Sequence, residues 1–164
     1  MKKILSISFL LLLMQNNLLA QGFLNHSLEN IKEYLSTNEN NVNYNEENLE
    51  SGEKIIQFYF KHNPYKVYTV FFKKKENGTF SCYEEKLTMP YSKEILNILW
   101  KQYEELGYVK TNYKTKDGFT VFASKEEVNK SVKNYLVLSI HKEEDLETLL
   151  VECVLDTAKF ILKD

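Results

Sequence analysis

The sequence predicts an α+β domain, two helices packed on a mainly antiparallel meander sheet. Three observations point there. Apolar residues recur at helical spacing over residues 26–37 and 92–106. The period drops to two over 55–88, and again over 108–124 and 133–141. Asn77-Gly78 and Asp117-Gly118 interrupt the alternating stretches in the manner of hairpin turns.

The chain begins with a different kind of segment. Lys2 and Lys3 precede an almost unbroken apolar run over residues 4–14, and Ala20 offers a small residue before Gln21. The run is far shorter than the roughly 20 residues that span a bilayer, and it matches the apolar region of a secretory signal peptide. Residues 1–20 are therefore read as a signal peptide and 21–164 as a single α+β domain, periplasmic or secreted, with no membrane span after cleavage. The 164 residues, 43% of them hydrophobic, provide enough apolar surface for one core.

In the first helix Leu28, Ile31 and Leu35 share a face, and Ser27 is placed to cap it. Residues 38–53 then turn polar, with six Asn and five Glu. They lack the ligand spacing of a calcium loop and are read as a solvated loop, with Val42 and Tyr44 alternating as in a short edge strand. Three strands follow at 55–61, 66–73 and 80–88. A four-residue turn over 62–65 sets Tyr59 opposite Tyr68. A two-residue turn at Asn77-Gly78 sets Val70 opposite Glu85 and Phe72 opposite Tyr83. Ser92 caps the second helix, whose stripe is Ile95, Leu96, Leu99, Tyr103 and Leu106, and Gly107 ends it. A hairpin around Asp117-Gly118, a charged connection over 125–131 and a strand over 133–141 come next. Residues 145–162 read either as a strand or as a helix, with a slight preference for a strand. Each half thus runs from a helix into a meander, with Cys82 and Cys153 in the last strand of each, which leaves open an internal duplication.

The composition limits the chemistry. The chain carries 21 basic and 23 acidic residues, every basic one a lysine, and loss of Lys2 and Lys3 makes it two units more acidic. Without the planar fork of arginine, an acidic domain makes a poor nucleic-acid binder, so no nucleic-acid partner is expected. His26, His62 and His141 are scattered and lack the local pairing of a zinc site. No glycine-rich phosphate loop, nucleophile elbow or C-x-x-C pair is present. No cofactor or metal is expected. Glu84 and Glu85 are adjacent on a strand and point to opposite faces, so they cannot work as one acid–base pair. Cys82 and Cys153 permit one disulfide in an oxidising compartment, or else two buried thiols.

The first hairpins are apolar on both faces, which a sheet with one wet face should not be. Either both faces are covered or one aromatic face meets a partner. The leading expectation is a non-catalytic binding module that presents Tyr59, Tyr68 and Tyr83 to a protein or a small apolar ligand. In size, export and layout it is comparable to inhibitor- or immunity-type modules, an analogy of architecture alone. Two rivals stand beside it: a small secreted hydrolase using His141 or His62 with a nearby Glu, and a structural envelope protein.

Overall fold

The computed structural model describes residues 22–124, 135–143, 146–155 and 161–162. Residues 1–20, expected to form a signal peptide, and the connection 125–131 lie outside them. Helix α1 (Leu28–Thr37) leads into strands β1 (Val42–Asn48), β2 (Lys54–Phe60), β3 (Asn63–Lys74) and β4 (Phe80–Pro90). Helix α2 (Lys93–Glu105) leads into β5 (Tyr108–Lys114), β6 (Thr120–Ser124), β7 (Tyr135–Glu143), β8 (Leu146–Val154) and the two-residue β9 (Ile161–Leu162). The protein is α+β: one antiparallel sheet in the order β1-β2-β3-β4-β8-β7-β6-β5-β9, with helices on one face. No helix among the described residues is long and apolar enough to cross a membrane.

The helices start where their caps place them. The Ser27 hydroxyl accepts from the Asn30 N–H at 3.1 Å, and the Ser92 hydroxyl accepts from the Ile95 N–H at 3.1 Å. Leu28, Ile31 and Leu35 of α1 and Leu99 and Tyr103 of α2 enter one core with Ile56, Phe58, Val70, Phe72, Leu136, Leu149 and Val151. Trp100 meets Phe122 of β6 with ring centroids 4.5 Å apart, which seats α2 over the second meander. Phe23 stands edge-on to Tyr34 of α1 and to Phe58 of β2, 5.6 Å from each. Of the expected α2 stripe, Leu106 is exposed, because it lies past the last helical turn.

Each half is a helix followed by a four-stranded meander, and the last strands of the halves, β4 and β8, pair at the centre. Ser92 stands in the second half where Ser27 stands in the first, and Gly118 stands where Gly52 does. The pair Phe122–Leu136 matches Ile56–Val70, and Val137–Glu152 matches Phe71–Glu84. By this correspondence Cys153 takes the place of Glu85, not of Cys82. Residues 146–154 of the ambiguous tail are strand.

The hairpins differ from expectation in register. β2 and β3 connect through Lys61-His62, and Phe60 pairs with Asn63 while Tyr59 pairs with Val67. Residues 64–66 form a bulge, where Pro64 needs no ladder hydrogen bond. Tyr68 therefore pairs with Phe58, not with Tyr59. The β3–β4 turn has three loop residues, not two: Lys75 N–H bonds to Thr79 O at 2.7 Å, and Gly78 alone takes a positive φ of 84°. A second bulge, at Tyr83, restores the expected Val70–Glu85 pair but sets Phe72 opposite Cys82.

Candidate functional site

The face of the sheet turned away from the helices carries the candidate site. Register fixes which side chains stand in line across it. Asn45, Gln57, Thr69, Lys86 and Glu152 are successive cross-strand partners on β1, β2, β3, β4 and β8. This polar row runs perpendicular to the strands. On one side it is bordered by Asn43, Tyr59 and Val67, on the other by Glu47, Ile55 and Phe71. The apolar residues that made both faces of the first hairpins look buried are thus the borders of a polar row. At the far side of the sheet the same face carries a second buried cluster, Val121, Tyr135, Val137 and Val154.

The row changes character along its length. Near the β1 edge, Asn45, Glu47, Ile55, Gln57 and Thr69 line a shallow hollow of about 160 Å³. The Asn45 amide donates to Glu47 Oε1 at 3.0 Å, and the Gln57 amide donates to Thr69 Oγ1 at 3.4 Å. Toward the centre, Lys86 Nζ sits 3.0 Å from Glu84 Oε1 and 3.7 Å from Glu152 Oε1, over the Phe71 ring at 5.0 Å. Glu84 is 1% exposed. Burial pulls the Lys86 pKa down, but the two carboxylates more than offset it and hold the ammonium charged.

The structure separates the three expected tyrosines. Tyr59 and Tyr83 are on the open face and partly exposed, whereas Tyr68 is 6% exposed beneath the helices, stacked on Phe58 at 4.8 Å. The one-residue change of register moved Tyr68 to the other face. Asn43 donates to the Tyr59 hydroxyl at 2.9 Å. Tyr83 bulges toward Phe71, ring centroids 6.4 Å apart, and its phenol is pushed up by burial, then by the Glu84 and Glu53 charges, with a hydrogen bond to Glu53.

Cys82 and Cys153 are free, buried thiols, the second of the two alternatives that the sequence leaves open. Cys153 pairs directly with Glu85, which leaves Cys82 a diagonal neighbour. Such neighbours are about 7–8 Å apart, beyond the roughly 4.4–6.8 Å between bridged Cα atoms. Burial raises both thiol pKa values, and the negative charge of Glu85 raises them further.

Glu84 and Glu85 do point to opposite faces. Glu85, 2% exposed, enters the helix-covered core, where Oε2 accepts from the Phe23 N–H at 3.0 Å and Oε1 has no hydrogen-bond partner among the described residues. Burial drives its pKa well above the carboxylate range, and the Phe23 N–H opposes this only in part. His26 and His62 are exposed, and His141 Nε2 lies 2.9 Å from Ser139 Oγ. Among the described residues no three His, Cys, Asp or Glu side chains are grouped to hold a metal.

Sequence reasoning missed Lys86 and the amides of the row. Their alignment depends on which strands are neighbours, and no local pattern carries that. No protein-family model, characterised protein or solved structure matches this chain.

Proposed function

We propose that the protein is an exported, non-catalytic binding module whose recognition surface is the open face of β1–β4. One observation carries this reading: a polar row with exposed amides lies between partly exposed aromatic and aliphatic borders, Tyr59 among them. Such a surface combines an apolar platform with directional hydrogen-bonding groups, the usual division of labour in recognition sites. Tyr59 and Tyr83 keep the role first expected of them, and Tyr68 is a core residue.

A photo-crosslinking amino acid in place of Tyr59 tests it in the native host. An adduct with an envelope component should form there and not from position 44, where Tyr44 is 50% exposed on the other face of the sheet. Absence of any Tyr59-specific adduct would sink the reading. The export part is supported by the Lys2/Lys3 start, the short apolar run and Ala20. Mass spectrometry should find a mature chain beginning near Gln21, and an intact Met1 in soluble cytosol would refute it.

A hydrolase reading has one observation in its favour, the contact between Ser139 and His141, which is a nucleophile–base distance. Against it, Ser139 is 5% exposed, and among the described residues no carboxylate hydrogen-bonds to the His141 ring. Stoichiometric labelling of Ser139 by a fluorophosphonate would establish the hydrolase; an unlabelled protein keeps the binding module.

A further inference from the structure

We propose that the β1–β3 end of the polar row binds an extended, uncharged oligosaccharide. The inference rests on the open face being the recognition surface and adds the class of ligand. Asn45, Gln57 and Thr69 stand in line across three strands, at steps of about 4.8 Å set by the sheet itself. A chain of linked hexose rings repeats at close to this interval, so successive rings lying across the strands would meet successive polar side chains.

The chemistry of the hollow selects against other ligands. Its polar lining consists of two amides, one hydroxyl and the Glu47 carboxylate, with no cation among them. An anion would face Glu47 without a counter-charge. An apolar ligand would cover amides and leave them without partners, which is costly. Sugar hydroxyls both donate and accept, matching this mixture. The two internal bonds, Asn45 to Glu47 and Gln57 to Thr69, use amide hydrogens and leave both amide oxygens as acceptors. Ile55 in the hollow, and Tyr59 one strand repeat along β2 from Gln57, supply the apolar surface on which the C–H face of a ring rests. A polypeptide would instead find its main-chain partners along β1, an edge strand of the sheet, not across its face.

The test is calorimetric titration of the full mature domain with three neutral probes, cellotetraose, maltotetraose and chitotetraose, and with tetragalacturonate as the charged comparison. At least one neutral tetramer should bind, and tetragalacturonate should not. The exposed pair Asn45→Ala/Gln57→Ala should weaken binding by about tenfold or more. Tyr59→Ala should also weaken it, and Tyr44→Ala, on the other face of β1, should leave it unchanged. Unchanged melting midpoints establish that these variants are folded. No binding of any neutral tetramer, preference for the uronate, or full affinity in the Asn45/Gln57 variant would each overturn the proposal. If no sugar binds but the Tyr59 crosslink forms, only the ligand class falls; if both fail, the recognition face falls with it.

Discussion

Glu85 and Cys153 face each other across the β4–β8 seam, on the helix-covered side, at equivalent positions of the two halves. The centre of this pseudo-symmetric sheet is thus chemically asymmetric. One half contributes a carboxyl group and the other a thiol, and Tyr103 hydrogen-bonds to the thiol. The carboxyl group ties the N-terminal segment to the core through the Phe23 N–H.

Glu85 should make the fold less stable as pH rises. Its folded pKa is raised above the ordinary value of about 4.3, so the native state holds the proton more tightly than the unfolded chain. The stabilisation is complete below the unfolded value and is lost as pH climbs through the folded one. Lys66, lowered to about 8 by burial, acts in the opposite sense at alkaline pH, but equally in wild type and variant. Urea melts of Glu85→Gln should match wild type near pH 4 and show higher stability at pH 9. An equal pH dependence in both proteins would mean that Glu85 is solvated.

Tyr68 and Tyr59 should behave as residues of opposite faces. Tyr68 is packed between Phe58 and Phe60, under α1. Tyr68→Ala should cost about 3–5 kcal/mol, the range for large buried aromatics, with a matching loss of urea midpoint. Tyr59→Ala should cost less than about 1 kcal/mol. Equal costs would place both rings in the core.

This pair also marks where the sequence stops being informative. Caps and helix faces were legible, because the Ser27 and Ser92 hydroxyls act on N–H groups three residues away and the apolar spacing reports one helix surface. Strand identity was legible for the same local reason in β2–β7, but β1 lies in a polar stretch read mainly as a solvated loop, and β8 in a tail read as either strand or helix. Register was not legible. It depends on bulges at Pro64 and Tyr83, and a one-residue slip exchanges faces, so Tyr68 could be misplaced while its strand was right. The polar row was less legible still: Asn45 and Lys86 are 41 positions apart and become aligned only through three successive pairings.

Leu99 should be the anchor of α2. It is fully buried, while Ile98 beside it in sequence is exposed. Leu99→Ala should cost about 2–5 kcal/mol by loss of burial and the cavity left behind. Ile98→Ala should stay within about 0.5 kcal/mol of wild type. Urea melts of the two variants check the face of the helix directly, and a larger loss for Ile98 would mean that α2 is rotated on the sheet.

Gly52 and Gly118 should be needed for their conformation and not for space. They occupy corresponding turns of the two halves, with φ of 82° and 87°, and an added Cβ meets no atom within 4 Å at either position. In both turns the glycine N–H bonds to the carbonyl three residues back, Leu49 or Thr115, at 2.9 Å. An L-residue with a Cβ pays about 1–2 kcal/mol to hold that backbone. Gly52→Ala and Gly118→Ala should each lose about that much in thermal or urea melts, and Gly52→Asn should lose less, since Asn tolerates the left-handed region. Because the turns are at separate ends of the sheet order, the double Ala variant should lose the sum of the two single costs. A variant that loses nothing would show that its turn adopts another conformation, and with it another β1–β2 or β5–β6 register. For Gly52 that outcome would also dissolve the alignment of Asn45 with Gln57, since the three-residue turn over 50–52 sets that pairing.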